Sequence, residues 1–191
     1  MEVQLSWEHQ HPERAIWSAH AARALRPHLT DLSVARDIRT FAPEYQAATD
    51  DEKTAIWAEI ISAVAWFEST WNPCERYAEP GMGIDTVTGE PVYSEGLLQL
   101  SYQDVKNYPH LEIPFDWDRD KLLARTDCSK SILDPLKNIT AGVSILADQV
   151  KRERAIVLKH PYWSTLGDPS EWHESRIEEI AAMVRKLPFS V

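Results

Sequence analysis

Glycine is scarce in this chain, with 6 in 191 residues, while Ala, Leu, Ile, Glu, Arg and Lys are plentiful. That balance favours helix over sheet. Cysteine is nearly absent: Cys74 and Cys128 stand 54 positions apart in polar, loop-like sequence. They either bridge in an oxidising compartment or stand as two free thiols. No run approaches the roughly 20 apolar residues that a membrane span needs. The first residues, Met1 to His9, hold no basic region followed by an apolar core, so no secretory signal is expected. Positive charge is the minority sign, 20 Lys and Arg against 30 Asp and Glu, for a formal net charge of -10. An acidic chain of this kind is not built to hold nucleic acid, an anionic membrane or another acidic polymer by electrostatics.

What is present points to one helical domain. The length suits a single well-buried core and is short for two. Ala15, Ile16, Ala19 and Ala22 set a helical run from Glu13 to about Leu25, stopped at Arg26-Pro27. A shorter helix is expected over Leu32–Phe41, before Pro43. Thr49-Asp50-Asp51-Glu52 opens another with a cap and first-turn acids, running to about Thr70. Residues 74–94 form a loop too long for a simple connection, with a hairpin expected over Val87–Val92. Ser101 with Asp104 reads as a capping box for a short helix to Tyr108. Asp134-Pro135 starts a long helix with one buried face, Leu136, Ile139, Val143, Leu146 and Val150. The acceptor triplet Asn138-Ile139-Thr140 falls inside that helix and reads as accidental. A final helix is expected from Pro169 to Lys186. The fold class is therefore mainly α, with one long loop or small β-hairpin.

Chemistry concentrates at one helix end. Trp57, Ile61, Val64 and Glu68 fall on one line at spacings of 4, 3 and 4. The line is apolar until its last member, a carboxylic acid, and Pro73 then bars further helix. An acid where core meets cleft is desolvated, which raises its pKa as a general acid requires. Eight Trp is a high count, and Trp66, Trp71, Trp117 and Trp163 lie near turns, where indoles can stack on sugar rings or other flat faces. Most of the eight read as core. No metal site is expected from His9, His11 and His20, whose spacing fits no tight site. Asp116, Asp118, Asp120 and Asp127 match a calcium-loop count loosely, but Lys121 replaces its Gly. A solvated loop is the expectation there, weak calcium binding the alternative, and no cofactor is required.

Three segments share an order. They are Glu68-Ser69-Thr70-Trp71-Asn72-Pro73, then Ser94-Glu95-Gly96-Leu97-Leu98-Gln99-Leu100, then Asp134-Pro135-Leu136-Lys137-Asn138-Ile139 through Gly142 to Leu146. Together they resemble the lysozyme-like soluble lytic transglycosylase domain, a relative of goose-type lysozyme, over about residues 56–146. Leu98 stands where that family has Met, a swap of similar volume. The family's later Tyr-Asn-Ala-Gly motif is missing, and Pro161-Tyr162-Trp163-Ser164 takes roughly its place.

The resemblance implies residues 1–48 as a helical extension packed on a catalytic domain of residues 49–191. It implies peptidoglycan glycan strands as substrate, cut at the MurNAc-GlcNAc β-1,4 bond by a muramidase or a lytic transglycosylase. Glu68 would be the general acid. Asp85 and then Glu95, with Glu90 behind them, are the candidate second acids that a hydrolase needs and a transglycosylase does not. Because an acid-bearing loop precedes Gly96-Leu97-Leu98-Gln99, as in goose-type enzymes, hydrolysis is slightly favoured. Ser94, Gly96, Gln99, Tyr102 and Tyr162 are the substrate-binding candidates. Action on the cell wall, in the periplasm or outside the cell, with no signal peptide seen leaves the export route open: delivery by phage lysis or by a contractile secretion machine, the latter with a cognate inhibitor protein, or a signal peptide already trimmed from the sequence. A silent peptidoglycan-binding module and an all-α protein-interaction domain are the alternatives.

Overall fold

The computed structural model describes residues 3–189. Its helices are α1 (Ala15–Leu25), α2 (Leu29–Leu32), α3 (Ile38–Phe41), α4 (Asp50–Ser69), α5 (Asp104–Asn107), α6 (Trp117–Asp120), α7 (Pro135–Glu153) and α8 (Ile177–Val184). Strands β1 (Arg76–Ala78) and β2 (Tyr93–Glu95) pair antiparallel in one small sheet. The architecture is mainly helical with that single two-stranded sheet, as the composition implies. No helix among the described residues is long and apolar enough to cross a membrane.

α4 is the axle. The Thr49 hydroxyl accepts the Glu52 N–H while the Glu52 carboxylate accepts the Thr49 N–H, a complete capping box. Beyond its first turn the helix is buried all round, from Ile56 through Ala65, so the single apolar line expected from spacing is part of a fully enclosed helix. Trp57 lies wholly inside and donates its indole N–H to the Tyr45 hydroxyl. α1 and α8 pack on α4, and α7 packs on both α1 and α4. One contiguous core runs from Leu5 to Leu187.

Three expected elements differ. The helix expected over Leu32–Phe41 is helical only at its end, α3, and follows a separate turn of helix, α2; between them Ser33 bonds back to the Thr30 carbonyl and Asp37 turns to the Ile156 and Val157 N–H groups. The hairpin's strands lie outside Val87–Val92, which forms its tip instead, closed by the Asp85 N–H to the Glu90 carbonyl. The last helix starts at Ile177 rather than Pro169: the Asp168 carboxylate takes the Ser170 N–H and hydroxyl, which folds residues 168–176 into turns.

Cys74 and Cys128 are bridged, with Cα atoms 5.5 Å apart. The bond ties the base of the hairpin to the loop after α6. Closing a loop across 54 positions constrains the unfolded chain. On the loop-entropy account, replacing both cysteines by Ser is expected to cost about 4 kcal/mol. Urea denaturation of oxidised wild type against the double variant checks this, and equal midpoints would contradict it.

Candidate active site

The end of α4 leaves Glu68 partly buried, between a buried Ser69 and an exposed Trp66. The single Ser69 hydroxyl proton is shared between the Leu97 carbonyl (2.8 Å) of the segment beyond the hairpin and the Ala65 carbonyl (3.0 Å). Thr70 and Trp71 then take left-handed backbone, φ 52° and 59°, which stops the helix abruptly. Two successive non-Gly residues in that region are strained, and the Trp71 indole N–H, donated to the Ser62 carbonyl at 2.7 Å, helps hold them. Glu68 is left at the floor of a cleft of about 740 Å³. The Thr165 hydroxyl donates to Glu68 Oε1 at 3.0 Å and fixes the carboxyl. Burial pushes its pKa from the usual 4.5 up to about 7; the Thr165 bond opposes the rise and the nearby charge of Glu79 adds to it.

The hairpin sorts its side chains by the two-residue period of extended chain. Glu75, Tyr77 and Glu79 face the cleft, with Val92 and Ser94 beside them, and Ser94 donates to Glu79 at 2.6 Å. Arg76, Tyr93 and Glu95 face the other way, into a shallow depression that also takes in Asp85, Glu90 and Tyr102. Every second acid expected from the sequence therefore lies off the cleft. Asp85 is buried and fully employed: its two oxygens accept the Val87 and Thr88 N–H groups, the Ser101 hydroxyl and the Gln103 N–H. Glu95 is buried against Arg76 at 2.7 Å. Glu90 pairs with Arg125 at 3.2 Å.

Among the binding candidates, Ser94, Gln99 and Tyr162 line the cleft. Gly96 and Tyr102 do not. Gly96, at φ 82°, serves packing, since a Cβ there would lie 2.4 Å from Asn138 Nδ2 and 2.8 Å from the Ile132 carbonyl. Tyr102 is buried between Phe115 and Trp117 with its hydroxyl on Asp120 at 2.9 Å. Gln99 also has left-handed backbone, φ 48°, and folds its amide back on the Gly96 carbonyl at 2.9 Å. Tyr162 does not bond Glu68; its hydroxyl donates to Asp104 at 2.5 Å. Burial raises Asp104 to about 6.

The residues that sequence reasoning missed are Thr165, Glu79 and Asp104. Glu79 carried a usable signal: it shares the alternation of Glu75 and Tyr77, one residue out of step with Glu95's face. Thr165 carried none, because it reaches Glu68 across 97 positions. The acids of the loose calcium-loop count are spent locally. Asp116 caps α6, Asp118 pairs with Lys121, Asp120 takes Ser131 and Tyr102, and Asp127 takes Ser129. Among the described residues no group of three or more His, Cys, Asp or Glu is arranged to hold a metal.

Fold and cleft together define a helical domain whose buried central helix ends in an acid beneath a two-stranded lip. No family model matches the chain, and no curated protein matches it. Among solved structures the chain is similar over 100% of both chains to Bd0314 DslA. The wild-type form 2 gives a TM-score of 0.75 at 25% identity, and one Glu-to-Gln mutant gives 0.76 at 26%. A second Glu-to-Gln mutant gives 0.78 at 24%, a likeness of fold.

Proposed function

We propose that the chain is a peptidoglycan glycosidase, a muramidase or lytic transglycosylase that cuts the MurNAc-GlcNAc β-1,4 bond. The observation that carries this is Glu68, a carboxylic acid at the floor of an open cleft with its pKa pushed up to about 7. Such a group keeps its proton in a large share of molecules up to neutral pH and can give it to a glycosidic oxygen as the bond breaks. Neighbouring ring, amide and hydroxyl side chains, among them Tyr162, Gln99 and Ser94, supply the mixed apolar and polar walls that a sugar chain needs.

Glu79 takes the place of Asp85 and Glu95 as second acid. It shares the cleft with Glu68, and its charge is among the causes of the raised Glu68 pKa. In an inverting hydrolase it would position and deprotonate the attacking water. The two glutamates replaced singly by Gln in the solved Bd0314 DslA mutants are eleven positions apart, as Glu68 and Glu79 are. Hydrolysis is therefore the form of the reaction we favour, with delivery to the wall and a cognate inhibitor following only if the chain acts outside the cell that makes it.

The test is the pH dependence of clearing of purified peptidoglycan. A general acid works while protonated, so activity should fall as pH rises through about 7. The Thr165 bond stabilises the ionised form; its removal in Thr165→Val is expected to carry the falling limb to higher pH. A limb that does not move, or that moves down, contradicts the assignment. No clearing at any pH rejects the enzyme, and binding without clearing would favour the silent module.

A further inference from the structure

The cleft wall opposite in sequence to the hairpin is a clasp made by residues 158–172. Leu158 pairs with Gly167 as an isolated parallel bridge, its N–H reaching the Leu166 carbonyl at 3.1 Å and its carbonyl taking the Asp168 N–H at 2.8 Å. Trp172 is mounted on this clasp. Its indole N–H donates to the Lys159 carbonyl at 2.9 Å, and its backbone N–H to the Asp168 carbonyl at 2.9 Å. The root of the ring lies directly over Gly167, where a Cβ would meet Trp172 Cγ at 2.4 Å. Glycine is thus required under the indole. Lys159 and Glu171 pair across the same clasp at 3.1 Å.

A tryptophan usually secures its place by packing into a core. Trp172 is absent both from the buried core and from the apolar side chains packed against it, yet it lines the cleft. It is a rigid apolar plate whose one polar atom is already satisfied, an arrangement that loses little entropy when a flat partner settles on it. Trp172 is half-buried, and the hairpin lip holds two exposed apolar side chains on the same cleft, Tyr77 at 61% exposure and Met82 at 59%. Thr165, which holds the acid, is two residues before Gly167, so the clasp carries the plate past the reacting bond by no more than about 7 Å of chain plus the indole itself.

Resting on the glycosidase reading, we propose that Trp172 is a stacking subsite for a sugar ring of the glycan strand beyond the two that flank the scissile bond, with Gly167 as its seat. Trp172 would set how strongly longer strands bind and would leave the acid untouched. Binding of an alternating GlcNAc-MurNAc disaccharide and tetrasaccharide to the Glu68→Gln protein, followed by titration calorimetry, tests this. The tetrasaccharide is expected to bind more tightly than the disaccharide. Adding Trp172→Ala should reduce that advantage about tenfold while disaccharide affinity stays unchanged. Trp172→Phe, which keeps a flat face, should retain most of it, and Gly167→Ala should reproduce part of the loss by displacing the indole. In the active protein Trp172→Ala should raise KM for long strands with kcat unchanged. An undiminished advantage in Trp172→Ala, or equal weakening for both lengths, overturns the proposal while leaving the glycosidase reading intact. Failure of the unsubstituted cleft to bind either length would sink both.

Discussion

Glu68→Gln is expected to lower the rate of wall clearing by about a thousandfold, the scale of a lost general acid. The side chain keeps its size and its oxygen for the Thr165 hydroxyl, but it has no proton to give. The same change should not weaken the fold. Glu68 rests at a site where burial raises its pKa to about 7, so at higher pH the folded protein holds a desolvated carboxylate that the unfolded chain would hydrate freely. A neutral amide relieves this, and thermal unfolding at pH 8 is expected to show a gain of about 1–3 kcal/mol. At pH 4, where the carboxyl is largely protonated in both states, the gain should fall close to zero. A structural glutamate would behave oppositely, losing stability with its loss of activity. The two readouts together separate a catalytic acid from a bracing one.

Asn138→Ala is expected to cost about 3–5 kcal/mol, the largest single-residue loss of stability here. Asn138 is fully buried in α7 and joins three otherwise separate backbone groups. Its amide donates to the Ile132 carbonyl at 2.9 Å and the Glu95 carbonyl at 3.2 Å, and its oxygen accepts the Leu98 N–H at 2.8 Å. The Leu98 carbonyl in turn takes the Trp163 indole N–H at 2.7 Å, so the same bond set anchors the cleft wall next to Tyr162. Truncation leaves buried donors and acceptors without partners. Asn138→Leu fills the volume but orphans the same groups, and it should be destabilised by a similar amount. Rescue by Leu would show that packing, not hydrogen bonding, is the role of Asn138. Urea midpoints of the three proteins decide it. Burial this complete also disqualifies Asn138 as a glycan acceptor, in keeping with its place inside a helix.

Helices were legible where local chemistry set their ends. Thr49 with Glu52 and Asp134 with Pro135 mark the starts of α4 and α7 to within a residue, because the caps are built from neighbours in sequence. The last helix begins later than its pattern implies because Asp168 serves a turn that ends in Trp172, and that turn is stabilised by Lys159 and Gly167. Glu68 was legible as the polar end of an apolar line. The place of Asp85 is not legible from an acid in a loop: four donors surround it and keep it from the cleft, a context set by the folded backbone. Glu95 lies a single step of the strand period away from the cleft-facing side chains, a step that moves a side chain to the opposite face. Contacts such as Thr165 with Glu68 and Tyr162 with Asp104 depend on tertiary packing alone, and no local pattern encodes them.

The most direct measurement is mass spectrometry of the products released when purified peptidoglycan is incubated with the protein. The account predicts soluble muropeptides cut between MurNAc and GlcNAc, released by wild type and not by Glu68→Gln. Reducing MurNAc ends would accord with a water positioned by Glu79, and 1,6-anhydro ends with attack by the sugar's own 6-hydroxyl. Intact strands from wild type, or fragments cut only in the peptide stems, would contradict it.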